Sequence, residues 1–360
     1  MILKSVIYRS FRNIGEAQLF FEPGVNLLYG ENAQGKTNAL EGIYLCAQGR
    51  SHRTAKERDY IRLGDEAALV RLTYEDAKRQ QTLELRCTRA GRKFCRKNGM
   101  PVGRMSEFIG NFRAVIFCPE HLSIVKEGPA ERRGFLDTAL CQTDPAYLAA
   151  LQQYSAALAQ RNRLIGEYPF HPEPFLETQE LWAEQMAQSG EILYEKRAAY
   201  LEQAEKAVID IFRDMMGERE HPRLLYKKKY TKEELLRLYT EEKDKELRAG
   251  SSQYGPHKDD FEILLNDRSA RVFASQGQQK SLAVALKLAE GLLSKEKTGE
   301  YPVFLLDDVL SELDARRKSY ILGGLEGKQA VITCCDKNDA AEFPKGRVIR
   351  VENGQYTQIR

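Results

Sequence analysis

The sequence has no long apolar run, and this absence excludes a helical membrane span. No stretch approaches the roughly 18 consecutive apolar residues that such a helix requires. Residues 1–8 also lack the apolar core and the small-residue cleavage site of a secretory signal, and they have the pattern of a strand instead. These absences predict a cytoplasmic protein that does not associate with membranes.

A strong excess of one charge and paired cysteines are missing as well. Lys and Arg total 55 and Asp and Glu total 52, which leaves a formal net charge of only +3. A balance this close to zero neither demands nor excludes a nucleic-acid partner, so any polyanion-binding surface must be local. The seven cysteines are an odd number and include no C-x-x-C pair. That pattern argues against a structural zinc site and suits a reducing compartment.

One short segment carries most of the chemical information. Residues 30–37 match the phosphate-binding pattern G-x-x-x-x-G-K-[ST], between an apolar segment that reads as a strand and a segment that reads as a helix start. The glycines let successive backbone N–H groups point at phosphate oxygens, and the helix N-terminus adds partial positive charge. Lys36 would reach the β- and γ-phosphates, and the Thr37 hydroxyl would ligate Mg²⁺. The alternative is a glycine loop that precedes a helix by chance. The predicted nucleotide contacts are Gly30, Glu31, Asn32, Ala33, Gln34, Gly35, Lys36, Thr37 and Asn38.

A second element of phosphate chemistry lies far along the chain. Residues 303–306 are an apolar strand that ends in the carboxylates Asp307 and Asp308. A buried parallel strand delivers its last side chains to the sheet edge where a phosphate loop also sits. There Asp307 would hold Mg²⁺ together with Thr37, and Asp308 would orient or deprotonate the attacking water. Taken alone, the pair would be an ordinary strand end. Beside a phosphate loop it predicts that Lys36, Asp307 and Asp308 are the catalytic residues.

The hydrophobic patterns divide the chain into three parts. Strand patterns occur near residues 2–8, 17–21, 25–29, 68–74, 82–88, 93–96 and 114–117, and again at 261–265, 303–306, 330–333, 347–351 and 356–359. Helical spacing covers 145–166, 177–217 and 231–247. The sequence therefore predicts an α/β ATPase that is interrupted by an insert: a first part of the ATPase lobe at 1–120, an inserted all-helical lobe at 121–250, and a second part of the ATPase lobe at 251–360.

Three further motifs resemble those of the ABC-type ATPases. Ser-Gln-Gly-Gln-Gln at 275–279 resembles the signature motif, with Gln276 in place of the usual first Gly; Ser-Glu-Leu-Asp at 311–314 resembles the D-loop; Thr333 stands where that group has its switch residue. The resemblance implies a P-loop ABC-type ATPase head with a mixed sheet. It also implies that Ser275, Gly277 and Gln278 contact a nucleotide held by a second copy of the chain. The alternative for 275–279 is a polar helix N-cap.

The wider pattern resembles the RecF family of bacterial recombination mediators from the first residue to the last. The matching segments are Phe-Arg-Asn at 11–13, Gly-Arg-Ser-His-Arg-Thr at 49–54, Gly-Pro-His-Lys-Asp-Asp at 255–260 and Leu-Asp-Asp-Val-Leu-Ser-Glu-Leu-Asp at 306–314. SMC-type ATPases share the head, but their insert is a very long coiled coil, which this chain lacks. Basic residues near a phosphate loop can stabilise transferring charge. Arg12 is therefore expected at the nucleotide, and a surface or packing ion pair is the alternative.

The resemblance implies a specific biological role. It implies a slow, DNA-stimulated ATPase that uses ATP and Mg²⁺ and forms an ATP-driven homodimer. It further implies binding to double-stranded DNA at the edges of single-stranded gaps. With the partners RecO and RecR, such a protein would promote loading of RecA in recombinational repair, replication restart and the SOS response. Two alternatives remain from the residues alone: a phosphotransferase that acts on a small molecule, and the nucleotide-binding subunit of a transporter.

Two basic clusters are candidates for DNA contact. One lies on a predicted hairpin that turns at Asn98-Gly99, and the other is flanked by Tyr226 and Tyr230. Such clusters can follow a phosphate backbone without reading bases; the alternative is a solvated face. The predicted DNA-binding residues are Arg92, Lys93, Arg96, Lys97, Lys227, Lys228 and Lys229.

Overall fold

The structure, a computed structural model, describes residues 1–54, 56–227, 230–335 and 346–359, without the side chain of residue 123. The chain divides into two compact units. The first unit comprises Met1–Val125, Asp210–Arg219 and Ser275–Arg360, and the second comprises Lys126–Ile209 and Glu220–Ala274. Each unit contains strands and helices, and the long helix Glu173–Met216 contributes residues to both units.

The strands and helices of the described residues follow each other along the chain. The strands are β1 (Ile2–Phe11), β2 (Ile14–Phe20), β3 (Val25–Tyr29), β4 (Ala67–Glu75), β5 (Gln80–Thr88), β6 (Lys93–Lys97), β7 (Met100–Val102), β8 (Ala114–Phe117), β9 (Pro222–Tyr226), β10 (Phe261–Leu265), β11 (Arg268–Ser269), β12 (Val303–Leu306), β13 (Ala330–Cys334), β14 (Val348–Glu352) and β15 (Gln355–Gln358). The helices are α1 (Lys36–Gln48), α2 (Met105–Phe108), α3 (Pro129–Thr143), α4 (Pro145–Glu167), α5 (Glu173–Met216), α6 (Lys232–Glu241), α7 (Lys243–Ala249), α8 (Ala270–Phe273), α9 (Gln276–Thr298) and α10 (Ala315–Gly324).

A mostly parallel sheet in the first unit carries the phosphate-chemistry motifs. Its strand order is β15-β14-β3-β13-β12-β8. All neighbours are parallel except the edge pair β14 and β15. Because β3, β13 and β12 are adjacent and parallel, their C-terminal ends meet at one edge. The phosphate loop after β3 and the two aspartates after β12 therefore share that edge.

A second, antiparallel sheet in the first unit has the order β2-β1-β4-β5-β6-β7. Its inward side chains and those of α1 belong to one apolar core, which also includes Leu305 and Val331 of the parallel sheet. Helix α1 is held closely there. The Tyr8 hydroxyl donates a hydrogen bond to the carbonyl oxygen of Ala39 at 2.6 Å, and a Cβ built on Gly42 would lie 2.4 Å from the Tyr8 ring. This packing fixes the position of α1, whose first turn forms part of the phosphate site.

The second unit differs from the expected all-helical lobe at 121–250. Its helices are accompanied by a three-stranded antiparallel sheet of order β11-β10-β9. The pairing of Pro222 with Leu265 draws the residues after 250 into this unit, because backbone hydrogen bonds tie β10 to β9. The sequence signal for β9 is weak, since the strand has only five residues and follows a helix of 44 residues. In the described part of the chain, no helix combines the length and apolar character that crossing a membrane would need.

His257 lies in the second unit between two hydrogen-bond partners. Its Nδ1 lies 2.6 Å from the Tyr154 hydroxyl and its Nε2 lies 3.0 Å from the carbonyl oxygen of Ser252. Since a carbonyl only accepts, Nε2 carries the proton and Nδ1 accepts, which fits the neutral ring. Burial lowers the pKa of His257 to about 4, while hydrogen bonding to Ser252 opposes this.

We expect the pKa of His257 to make acid destabilise the second unit. The pKa is depressed relative to the ordinary value of 6.5. The unfolded chain therefore binds more protons between these two values, and stability falls as pH falls through that window. A His257→Gln variant should lose roughly 2 kcal/mol less stability than the parent between pH 7 and pH 5. Urea unfolding at both pH values measures this difference. Equal losses in the two proteins would contradict it.

Candidate functional site

The phosphate loop joins β3 to α1, and its backbone requires glycine at two positions. Gly35 caps α1 with φ +118°, in the left-handed region. A Cβ at Gly35 would lie 3.0 Å from Oδ1 of Asn13, and a Cβ at Gly30 would lie 2.2 Å from the carbonyl oxygen of Val351. Tyr356 also donates a hydrogen bond to the carbonyl oxygen of Gly35 at 2.9 Å. Side chains distant in the sequence therefore hold the loop in its curled form.

Lys36 lies at the centre of this loop. Its side chain folds back so that Nζ donates to the carbonyl oxygens of Gly30, at 2.6 Å, and Glu31, at 3.2 Å. The residue is only 3% exposed. The Sγ atom of Cys335 is 3.5 Å from the same Nζ. An ammonium group held by neutral carbonyls keeps its full charge for an incoming phosphate.

Thr37 and Asp307 are brought together by the order of the parallel strands. The Thr37 hydroxyl donates to Oδ1 of Asp307 at 2.9 Å, and the Thr333 hydroxyl lies 3.0 Å from the same oxygen. The backbone N–H of Asp308 donates to Oγ1 of Thr333 at 2.8 Å. Thr333 is thus placed between the two aspartates, at the end of the strand that separates β3 from β12.

The two aspartates have different surroundings. Asp307 is buried, while Asp308 is partly exposed and adopts a left-handed φ of +49°. Burial raises the pKa of Asp307, although hydrogen bonds from Thr37 and Thr333 oppose the rise, and the charge of Asp308 adds to it. A buried carboxylate that is costly to ionise gains from a nearby cation. Asp307 therefore suits a metal ligand, and the more accessible Asp308 suits contact with water.

The oxygen ligands at this edge fit Mg²⁺. A hydroxyl and one carboxylate, completed by phosphate oxygens and water, are what this ion usually takes from proteins. Among the described residues, no group of three or more His, Cys, Asp and Glu side chains could form a self-sufficient metal site. None of the seven cysteines, all of which lie in the described part of the chain, forms a disulfide.

Arg12 lies beside α1 in a buried ion pair with Glu41. Its Nε and NH2 atoms donate to the two Glu41 carboxylate oxygens at 2.9 and 2.5 Å. Arg53 donates to the same carboxylate at 3.1 Å and to Oδ1 of Asn38 at 2.9 Å. Burial would raise the pKa of Glu41, but hydrogen bonds from Arg12 and Ser51 and the arginine charges outweigh it and hold the pKa below its ordinary value. Arg12 therefore lies in an ion pair, which is the alternative that the sequence left open for this residue.

Glu41 was missed by the sequence reasoning, although a signal existed. It is the one charged residue in the otherwise apolar run 39–47 of a helix that follows a phosphate loop. An ionised, fully buried carboxylate needs partners of opposite charge. The two arginines that supply them come from residues 12 and 53, and no local pattern in the sequence pairs these with Glu41.

The segment at 275–279 forms the first turn of α9. The Ser275 Oγ accepts a hydrogen bond from the backbone N–H of Gln278 at 3.2 Å, and Oε1 of Gln278 accepts from the N–H of Ser275 at 2.6 Å. This reciprocal capping box is the N-cap that the alternative described. The guanidinium of Arg317, in α10, donates to the carbonyl oxygen of Gly277 at 2.8 Å and to Oγ of Ser281 at 2.8 Å. The turn is therefore tied to the helix that follows Asp314.

The predicted DNA-binding residues differ in their exposure and in the partners that they contact. Lys93 forms an ion pair with Glu57 and donates to the carbonyl oxygen of Gly49, and Lys97 donates to Asn111. Lys227 lies 3.4 Å from Glu262. Arg92 and Arg96 are exposed. Lys228 and Lys229 lie outside the described residues.

Comparisons with known proteins give the family. A family model described as the RecF/RecN/SMC N terminal domain matches residues 2–356. DNA replication and repair protein RecF of Ligilactobacillus salivarius is 37% identical over 99% of this chain and 98% of that protein. The protein of the same name from Agathobacter rectalis is 36% identical over 100% of this chain and 99% of its own length. The chain belongs to the RecF family.

Solved structures agree with this RecF-family assignment. A structure of the recombination mediator protein RecF-ATP in the RecFOR pathway matches with a TM-score of 0.90 and 35% identity, over 100% of this chain and 98% of the other. An Smc head bound to the C-winged helix domain of ScpA matches with a TM-score of 0.58 and 15% identity, over 100% of this chain and 98% of the other, and so shows the shared fold alone. The predicted family and the predicted ABC-type ATPase fold are confirmed. The roles of the individual site residues stay predictions.

Proposed function

We propose that this RecF-family chain is an ATPase that couples ATP binding and hydrolysis to DNA binding in recombinational repair and replication restart. The observation that carries the proposal is the 2.9 Å hydrogen bond between Thr37 and Asp307. It joins a phosphate loop to a carboxylate strand end at one sheet edge, which is the arrangement that P-loop nucleotide hydrolysis uses. The relatives support the proposal through their name, DNA replication and repair protein RecF.

The proposed cofactors are ATP and Mg²⁺. Residues 30–38 would surround the phosphates, with the Lys36 ammonium neutralising charge on the β- and γ-phosphates. Thr37 and Asp307 would hold Mg²⁺, which neutralises charge on the transferring phosphate when it is bound. Arg12 would contribute positive charge at the rim of the site from its position on Glu41. The name of the RecF-ATP relative supports the choice of nucleotide.

Asp308 would orient and deprotonate the attacking water. Its carboxylate is more exposed than that of Asp307, and its Oδ1 lies 3.3 Å from the Thr333 hydroxyl. Thr333 therefore serves as a positioning residue: it fixes the backbone and the carboxylate of Asp308 relative to the metal ligand. The products would be ADP and phosphate.

The nucleotide-binding site would be completed by a second copy of the chain. Ser275, Gly277 and Gln278 lie at the N-terminus of α9, where the partial positive charge of the helix attracts an anion. A phosphate loop encloses only one side of a triphosphate, so an anion site on another surface can cover the remaining side across an interface. The proposed assembly is a homodimer that ATP binding closes and hydrolysis opens.

A Ser275→Arg variant tests this assembly. We expect it to bind ATP with parental affinity but to stay monomeric, because a long cationic side chain would fill the space of the opposing γ-phosphate. Light scattering with ATP, with ADP and without nucleotide measures the mass. Thr231→Arg is the matched control, since Thr231 also caps a helix through a capping box but belongs to the second unit. ATP-driven dimerisation of Ser275→Arg at the parental level would overturn the proposal.

The proposed partners follow from the family. The dimer would bind double-stranded DNA next to single-stranded gaps, and DNA would stimulate its slow ATPase. With RecO and RecR it would promote the loading of RecA on gapped DNA as part of the SOS response, in the cytoplasm. The exposed basic candidates would contribute phosphate contacts, so affinity should fall with salt and depend little on sequence. Repeating the light-scattering series with gapped, duplex and single-stranded oligonucleotides tests these partners.

A further inference from the structure

The outer face of the antiparallel sheet carries an exposed aromatic ring among arginines. Along β5 and β6 the side chains alternate, so that Leu85 and Cys95 enter the core while Arg86, Phe94 and Arg96 point to solvent. Phe94 is 51% exposed. Leu69 and Pro101 line the same surface, so the Phe94 ring belongs to a contiguous apolar patch, and such patches mark binding sites. This face of the first unit is therefore a candidate binding surface.

The face is concave. It forms an open hollow of about 600 Å³ whose lining includes Arg9, Leu69, Arg86, Phe94, Arg96 and Pro101. Leu69, Phe94 and Pro101 make an apolar floor, and the arginines stand around it. A floor that is apolar and a rim that is cationic suit a ligand with flat apolar parts and a negatively charged backbone.

The charges of this face are only partly neutralised from within. Arg9 pairs with Glu16 at 3.0 Å. The one carboxylate among the described residues that line the hollow, Glu84, pairs with Arg71. Arg86 and Arg96 form no ion pair with any of the described residues. The two guanidinium groups without an ion pair flank the exposed ring. The surface therefore complements an anionic ligand better than a ligand that carries both positive and negative charges.

Strand geometry places ring and cations at a useful spacing. Phe94 lies directly opposite Arg86 in the antiparallel register. Arg96 follows on the same face of β6, about 6.5 Å farther along the strand. We propose that this face binds single-stranded DNA, with one base stacked on Phe94 and the neighbouring phosphates held by Arg86 and Arg96. The inference rests on the proposed DNA-binding function and assigns part of it to a site.

A single strand fits this face better than a duplex does. In a duplex each base is already stacked between its neighbours, and the broad face of a sheet cannot reach it through a groove. An unpaired base has a free face that can lie on an aromatic ring. Duplex DNA would still touch the arginines through its phosphates. Phe94 should therefore contribute to the affinity for single-stranded DNA and contribute almost nothing to the affinity for duplex DNA.

The test compares Phe94→Ala with a matched control, Phe20→Ala. Phe20 is 49% exposed on the same sheet but on β2, at the opposite edge, where its cross-strand partner is Ser5 rather than an arginine. Fluorescence anisotropy with an oligothymidine and with a blunt duplex, in the presence of ATP, gives the affinities. We expect Phe94→Ala to weaken single-strand binding about 5- to 150-fold, as loss of one stacked base does. Duplex binding should change less than twofold, and Phe20→Ala should match the parent on both.

A second variant checks the phosphate contacts. Replacing Arg86 and Arg96 together by glutamine should reduce the salt dependence of single-strand binding by about 1.4 in log–log slope, as expected for two lost phosphates. If Phe94→Ala binds the oligothymidine as the parent does, or if Phe20→Ala loses as much, the stacking site is refuted and the face is left to a protein partner. If the parent binds duplex DNA but Phe94→Ala leaves single-strand binding unchanged, only this inference is refuted. A parent that binds neither DNA refutes the proposed function as well.

Discussion

An Asp308→Asn variant is expected to bind ATP and to dimerise, yet to hydrolyse ATP about a hundredfold more slowly or worse. A positioned general base commonly contributes a factor of about 10² to 10⁴, and an amide cannot take the proton of water. The substitution should leave the fold intact. Asparagine tolerates the left-handed backbone that Asp308 adopts, with φ +49°, and the Asp308 N–H bond to Thr333 does not involve the side chain.

Steady-state phosphate release measures the rate, and light scattering with ATP measures the dimer. Because hydrolysis is what opens the proposed dimer, the variant should accumulate as a dimer that persists long after the parent has dissociated. Asp267→Asn is the matched control, since Asp267 is also an aspartate with a left-handed φ, at +58°, in the hairpin between β10 and β11. Its hydrolysis should equal that of the parent. Parental hydrolysis in Asp308→Asn would remove Asp308 from the proposed base position.

A Lys36→Arg variant is expected to retain some nucleotide binding and to lose hydrolysis, again by about a hundredfold or more. The Lys36 ammonium is a point charge in a tight cage, 2.6 Å from the carbonyl oxygen of Gly30 and 3.2 Å from that of Glu31. A planar guanidinium keeps the charge but is larger and has a fixed donor fork. It should therefore attract the phosphates without reaching their oxygens in the transition state, where loss of one donor typically costs about 10²- to 10³-fold.

Binding of a fluorescent ATP analogue, followed in parallel with phosphate release, separates the two effects for Lys36→Arg. The control is Lys287→Arg, because Lys287 is also a buried lysine of the first unit, in α9, where it forms an ion pair with Glu290. Any loss that reflects crowding of a buried site in general should appear in both variants. Hydrolysis by Lys36→Arg within a few-fold of the parent would show that Lys36 does not act on the transferring phosphate.

The parts of the fold that could be predicted are those with strong local patterns. Strands β3, β8, β10 and β12 have the predicted bounds, because short apolar runs flanked by turn residues leave few alternatives. Strand β9 was not predicted, since its alternation covers only five residues between a long helix and a lysine run. The predicted end of the inserted lobe at residue 250 also differs from the end of the second unit in the structure. The observed boundary depends on the pairing of β10 with β9 rather than on any local composition.

The sequence by itself determined the chemistry on offer: a glycine loop with Lys36 and Thr37, a strand ending in two aspartates, and a capped helix start at Ser275. Each is a contiguous run, so its residue types and spacing are visible without a fold. Only the tertiary structure decided which of these groups meet. Thr37 reaches Asp307, and Thr333 lies between the two aspartates, because the sheet order places β13 between β3 and β12. Strand order is set by hydrogen-bond ladders between separate segments, which for β3 and β13 lie about 300 residues apart, and no local pattern encodes such pairing.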